Sequence, residues 1–479
     1  MKLRGTRVLV MGLGVHGGGL GVARWLLRQG AVVTVTDLAS PETLTGPLET
    51  LRQAEAECDA SIRYVLGEHR ADDFAGHAII VANPAVRPNS PWLTMARESG
   101  AHIETEMTLF FRRCPGPILG VTGTKGKTTT ALLLGAMLRQ EYPDTIIAGN
   151  LRVSALEALD RISVRTPVVL ELSSFQLVGL GAACLSPQYA CITNISPDHL
   201  NYHGSMAEYV RAKQQIFAHQ DRAGVVVLNH EQQAAIGGED WGSEHGILSA
   251  RSCSNLLTFS IAPESDADCR ITQGRIELHG EELCAVADVR LMGDHNLTNV
   301  LAAATMAHSF GVSPASIRAA VQACTGVEHR LEFVRELDGV RYINDTTATN
   351  PAAAQAALAS IEAPIVLLAG GADKDLDFEA FAQVIRKRVK TLVLLMGSAT
   401  PRLQRALHMA AEPGTMLGTQ RATPLLGPYD DFATAIRAAR SYAEPGDVVL
   451  LSPGCASFGM FANEFHRGEE FRRIVCELT

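Results

Sequence analysis

The run from Thr122 to Thr130, TGTKGKTTT, sets Gly123, Gly126, Lys127 and Thr128 in the order of a phosphate loop. Backbone amides of such a loop wrap a polyphosphate, the lysine neutralises its outer oxygens, and the threonine hydroxyl can meet magnesium. Val121 stands where the general G-x-x-x-x-G-K-[ST] pattern has its first glycine. A bare Gly-Lys-Thr is common, but this one follows the strand-like PILGV and precedes the helix-like ALLLGAMLRQ, the context an ATP loop needs.

A second glycine loop lies near the N-terminus. Gly12, Gly14 and Gly17 form G-x-G-x-x-G between a strand-like and a helix-like run, and Asp37 follows about 20 residues later at the end of the next strand. This arrangement offers a tight turn and helix-end amides to an anionic phosphate, with a carboxylate near a sugar hydroxyl or base. Nicotinamide is not required, because a UDP-sugar diphosphate could use the same cradle. A glycine turn that only packs a helix on a sheet is the plain alternative.

Three further side chains have chemistry to offer. Glu171 ends the strand-like VVLEL, so its carboxylate would emerge at a C-terminal sheet edge, where α/β proteins bind ligands and where a hard oxygen suits magnesium. Taken alone it reads by default as a strand-end salt bridge. His199, in SPDHLNYH, would ordinarily be a loop hydrogen-bonder, and Lys213, in the helical SMAEYVRAKQQIFAH, a solvated surface group.

Positioning these residues takes several α/β units. RVLVMGLG, GLGVARWLLRQG, AVVTVTD and HAIIVANP alternate strand and helix, which predicts a parallel doubly wound sheet. A second strand-to-helix start at PILGV, followed by TPVVLELSS and YACITNIS, predicts a separate nucleotide-binding domain. VVVLN, LLTFS, CRITQGRIELHG and CAVADVRLMG predict a β-rich extension of it, closed by the helix-like NLTNVLAAATMAHSFG. A third unit begins near Glu328 with RYIND, PAAAQAALASI, APIVLLAGG, TLVLLMG and DVVLLSPG. The expected fold is α/β with three domains: a Rossmann-like parallel sheet over 1–105, a P-loop ATPase-type domain with its β-rich extension over 106–327, and a Rossmann-like domain over 328–479.

The 479 residues agree with about three domains. With 47% hydrophobic and 19% charged residues the chain reads as soluble and globular, and a formal charge of −9 leaves no basic excess for nucleic acid. Ten scattered cysteines, without a C-x-x-C pair, read as reduced thiols. No signal-peptide pattern and no membrane-length apolar run are seen, so a cytoplasmic location and no membrane partner are expected; a monomer is expected as well.

TGTKGKTT resembles the phosphate loop of Mur ligases and their folylpolyglutamate synthase relatives, and ELSSFQL at 171–177 is similar to a segment of the D-glutamate-adding branch. The resemblance continues in order through NISPDHLNYHGSMAEYVRAKQQIF, GDHNLTN, HRLEF, NDTTATN, GGADKDLDF and LSPGCASFGMF, covering essentially the whole chain. It implies an enzyme in which ATP phosphorylates the carboxylate of UDP-N-acetylmuramoyl-L-alanine and glutamate displaces phosphate from the acyl phosphate, with domain closure before chemistry.

The resemblance also distributes roles. ATP falls to Gly123, Thr124, Lys125, Gly126, Lys127, Thr128, Thr129, Asn299, Arg330 and Asp345. The UDP-sugar falls to Gly14, Val15, His16, Asp37, Asn83, Asn150 and Ser173, and glutamate to Thr349, Lys374, Ser457 and Phe458. Lys127, Glu171, His199 and Lys213 are the implied catalytic residues. Thr128, Glu171, His199 and a carbamylated Lys213 are the implied ligands of two magnesium ions. Thr347 stands where the D-glutamate-adding branch usually has lysine, and Glu464 where it has phenylalanine, so the enantiomer used is less fixed than the reaction. A nicotinamide oxidoreductase accounts for the first loop but not the second. A nucleotide-sensing module accounts for both loops but not for Glu171, His199 and Lys213 together. A folylpolyglutamate synthase would lack the domain that precedes the ATP loop.

Overall fold

The computed structural model describes residues 3–14, 18–150, 154–232, 255–262, 265–291, 293–324, 326, 328–373, 376–410, 423–461 and 463–479. They form three sheets in series. The first contains β1 (Arg7–Met11), β2 (Val32–Asp37), β3 (Arg63–Leu66), β4 (Ile79–Ala82) and β5 (His102–Glu104) in the order β3-β2-β1-β4-β5, all parallel. The reversal of order beside β1 opens a crevice at the strands' C-terminal ends, directly above the first glycine loop.

The second sheet has nine strands: β6 (Ile118–Thr122), β7 (Ile146–Gly149), β8 (Val168–Glu171), β9 (Tyr189–Ile192), β10 (Val225–Asn229), β11 (Asn255–Ser260), β12 (Cys269–Thr272), β13 (Arg275–Leu278) and β14 (Glu281–Ala285). Its order is β14-β13-β12-β11-β10-β9-β6-β8-β7, parallel except where β12, β13 and β14 pair antiparallel. The β-rich extension is therefore an edge of the nucleotide-binding sheet. CAVADVRLMG yields less strand than its residues suggest, because β14 stops at Ala285 and a 3-10 turn, Val286–Asp288, follows. β6 and β8 are buried along their whole length, as expected of parallel strands covered on both faces.

The third sheet comprises β15 (Glu332–Leu337), β16 (Val340–Asn344), β17 (Ile365–Ala369), β18 (Val389–Leu395), β19 (Leu425–Tyr429) and β20 (Val448–Leu451), in the order β15-β16-β20-β17-β18-β19. Only β15 runs antiparallel to its neighbour. The fold is thus three α/β domains, and its contacts gather into two compact units. One holds the first two sheets and the returning helix Asp294–Phe310; the other holds the third sheet with 289–293 and 322–479. The first two sheets share one apolar core: Trp25 and Leu26 beneath the first loop belong to the same cluster as Phe110, Leu156 and Leu170. No described helix is long and apolar enough to cross a membrane.

Candidate active site

β6 delivers the chain to the loop 123–126, and the helix Lys127–Arg139 leaves it. Gly123 and Gly126 sit at φ of 151° and 80°, the left-handed region that favours glycine. Space enforces the choice as well, since a Cβ on Gly126 would come 2.1 Å from Asn299 Oδ1 and one on Gly123 would come 1.9 Å from Thr193 Oγ1. The segment after β9 clamps the loop from the other side. Thr124 N donates to Asn194 O (2.8 Å), Lys125 N to Asn194 Oδ1 (3.0 Å) and Thr193 Oγ1 to Lys125 O (2.6 Å). Lys127 Nζ lies over the loop, donating to Gly123 O (3.0 Å) and Thr124 O (2.9 Å). Thr129 is buried, and so is Asn299, which accepts from Thr130 Oγ1 at 3.3 Å and supports the loop from behind.

Glu171, at the end of β8, meets this loop as its strand position predicts. Its Oε2 accepts from Thr128 Oγ1 at 2.7 Å and its Oε1 from Asn150 Nδ2 at 2.8 Å. The following Ser173 caps the helix Ser174–Ala182 through a reciprocal pair with Gln176. Lys213 is not the surface group its helix alone suggests. It is 1% exposed, and its Nζ donates to Gly123 O at 2.8 Å beneath the phosphate loop. Burial, reinforced by the nearby Lys127 charge, lowers its pKa to about 6, so the amine is largely neutral at pH 7. His199 lies in the left-handed region (φ 51°) at the start of the turn Leu200–His203, its ring 5.0 Å from that of Phe175.

This donor set fits magnesium beside a polyphosphate. A hydroxyl and a carboxylate are already 2.7 Å apart. Among the described residues no three His, Cys, Asp or Glu side chains converge into a metal cage.

At the first glycine loop, Asp37 Oδ2 accepts from Gly14 N (3.0 Å) and Oδ1 from Ala39 N (2.8 Å), so this carboxylate holds the turn itself. Asn83 follows β4 and packs on Gly12, where a Cβ would come 2.9 Å from its own. Val15, His16 and Gly17, named in the sequence reading, lie outside the described residues, as does Lys374.

In the other unit, Asp345 follows β16 and is buried, accepting from Ser452 Oγ (2.7 Å) and Leu331 N (3.3 Å). Burial raises its pKa to about 7, and Arg330 and Arg467 oppose that rise. Thr347, where a lysine was expected, turns its hydroxyl to His329 O at 2.9 Å. Ser457 is 3% exposed with a hydroxyl oxygen that has no hydrogen-bond partner among the described residues, while its neighbour Phe458 is exposed. Thr349 is half-buried on the 345–350 loop. The sequence reading missed Arg467, which is 1% exposed and ties this loop to the one after β20: Nε donates to Thr346 Oγ1 (2.9 Å), Nη2 to Thr346 O (2.8 Å) and both terminal nitrogens to Cys455 O (3.4 Å). It also missed Asn194 as a loop clamp and the buried Glu106. Asn194 stands inside a quoted motif, whereas Arg467 and Glu106 look like ordinary surface charges on helical runs.

Fold and site together define a multidomain α/β protein built around a nucleoside-triphosphate loop, with a second glycine cradle on its first sheet. The chain belongs to the Mur ligase family: residues 6–105 match the Mur ligase MurD-like N-terminal domain, 121–307 the Mur ligase middle domain and 329–455 the Mur ligase glutamate ligase domain. It is 55% identical to a UDP-N-acetylmuramoylalanine–D-glutamate ligase of Roseiflexus sp., with 100% of both chains covered. It is 36% identical to the ligase of that name from Symbiobacterium thermophilum, over 99% of this chain and 98% of that one. Among solved structures, UDP-N-acetylmuramate-alanine ligase MurC from Thermotoga maritima shares the fold with a TM-score of 0.59, at 19% identity over 98% of this chain and 99% of that one.

Proposed function

We propose that this chain is an ATP-dependent ligase that joins D-glutamate to UDP-N-acetylmuramoyl-L-alanine, a step in building the peptidoglycan precursor. The observation that carries the reading is the 55% identity over both full lengths with the ligase of that name. The clustering of Lys127, Thr128, Glu171, Asn150 and Lys213 at one sheet edge supports it.

A carboxylate is a poor electrophile and must be activated. Its oxygen attacks the γ-phosphorus of ATP, the bond to ADP breaks, and the resulting acyl phosphate is attacked by the amine of glutamate, which loses a proton as phosphate leaves. The loop amides and Lys127 hold the phosphates in line. Magnesium, when bound, supplies positive charge that offsets the phosphate oxygens. Thr128 and Glu171 would hold it, with His199 and a carbamate on Lys213. The neutral Lys213 amine adds to carbon dioxide and releases one proton, which turns a buried base into an anion. We assign 1–105 to the UDP-sugar, 106–327 to ATP and 328–479 to glutamate. Thr349, Ser457, Phe458 and Lys374 would receive the amino acid, and Arg330 and Asp345 the nucleotide. The unpartnered Ser457 hydroxyl supports the glutamate assignment.

Phosphate release and product mass, measured with D-glutamate, L-glutamate, D-aspartate and L-alanine at fixed UDP-N-acetylmuramoyl-L-alanine, test the reading. D-glutamate is expected to lead. Preference for L-glutamate would overturn the stereochemistry alone, and preference for a neutral amino acid would remove the assigned substrate.

A further inference from the structure

Glu106 opens the short helix Glu106–Phe111 immediately after the first sheet and is 8% exposed. One oxygen, Oε1, accepts from Ser154 Oγ at 2.6 Å and Ala155 N at 3.0 Å, at the start of the 3-10 helix Ala155–Arg161. The other, Oε2, has no donor among the described residues and lies 3.6 Å from where a Cβ on Gly18 would stand. Gly18 begins the eleven-residue helix Gly18–Arg28, and Glu106 lines a small cavity there with Gly12, Gly19, Asn83 and Pro84. The carboxylate oxygen Oε2 is thus aimed into the cradle assigned to the UDP-sugar.

Two anions cannot share one helix N-terminus at full strength. Unliganded, the helix-end partial charge favours ionised Glu106; a bound diphosphate draws on the same partial charge and adds repulsion. Among the described residues no cation pairs with Glu106 to relieve it. Arg24, on the helix packed against Glu106, is paired with Glu157 at 3.0 Å, and Glu157 adds negative charge from the 3-10 helix. Asp160 and Arg161 lie further along that 3-10 helix, and Arg28 is in the last turn of the Gly18–Arg28 helix. Arg113, just beyond the helix that Glu106 opens, stacks over Trp25.

We propose that Glu106 is a proton-linked positioning residue of the nucleotide-sugar cradle, taking one proton from solvent when the diphosphate binds and then presenting Oε2–H to it. The inference rests on the cradle reading. Burial already raises this carboxyl's pKa to about 7, so a modest further push protonates it near neutral pH.

Calorimetry of UDP-N-acetylmuramoyl-L-alanine binding to the full chain, in buffers of different ionisation enthalpy from about pH 6 to 8.5, reads the proton directly. The ligand's diphosphate is a diester with no proton of its own to gain in that range. Uptake approaching one proton is expected above pH 7, falling towards none at pH 6, with affinity weakening by up to about tenfold per pH unit on the alkaline side. Glu106→Gln, which keeps an acceptor for Ser154 and Ala155, should bind without uptake and with a flat profile. Ser154→Ala, which removes a donor favouring the anion, should move the midpoint upward. Unchanged uptake in Glu106→Gln, as a histidine such as His16 would give, overturns the proposal alone. No binding by the wild-type chain overturns the cradle as well.

Discussion

Lys127 Nζ donates to two carbonyls of its own loop, contacts that a polyphosphate would replace with stronger charge-assisted ones. Lys127→Ala should therefore reduce phosphate release by about a hundredfold or more while leaving nucleotide-sugar affinity within about twofold, because the two glycine loops serve different ligands. A kinetic assay beside a calorimetric titration checks both halves, and equal loss of both would count against the division. Lys213 poses a different question, since a lysine with its charge largely removed by burial contributes little as a cation. Its proposed value lies in the carbamate. Lys213→Ala should be nearly inactive but partly restored by millimolar acetate, whose oxygens substitute for the missing ones. Full activity without acetate would eliminate that role. Neither the burial of Lys213 nor its place beneath Gly123 was legible in a helical run that reads as solvated.

At the scale of elements, the strand-loop-helix starts at residues 7–28 and 118–139 were legible because glycine spacing and the change from β-branched to helical runs coincide there. Less legible was how a loop is held. Asn194 clamps Lys125 from 69 residues away, and Asn299 buttresses Gly126 from a helix that returns after the β-rich edge. Such contacts have no local periodicity to betray them. ELSSFQL shows a subtler case, because Ser173, expected at the UDP-sugar, serves first to start a helix. In the other unit, Asp345 makes a pH prediction. Its folded pKa, about 7, lies above the ordinary value of 3.8, so the folded state binds the extra proton between those limits. Stability from this group is complete below pH 3.8 and declines as pH rises through 7. Asp345→Asn should flatten that decline in chemical-denaturation curves between pH 4 and 7; an unchanged slope would show that the buried carboxyl is already ionised.

Across the whole molecule, the nucleotide-sugar assigned to the first sheet should stabilise the compact unit that carries it. UDP-N-acetylmuramoyl-L-alanine at about a hundred times its Kd should add roughly 2.7 kcal/mol to the unit that carries the first two sheets, raising its melting transition. NAD should add nothing, although the first glycine loop alone would suit it. A shift with NAD and none with the nucleotide-sugar would reverse the assignment of that cradle. The first unit is also discontinuous in sequence: the helix Asp294–Phe310, which packs on the helix Lys127–Arg139 and brings Asn299 to Gly126, is reached only after the antiparallel edge strands. During synthesis from the N-terminus, a nascent chain presents its phosphate loop long before the ribosome releases the segment that buttresses it. Until about residue 310 has emerged, the apolar flank of that helix has no cover and the loop lacks its support from behind. Nucleotide affinity should consequently appear late in translation rather than with the motif that announces it.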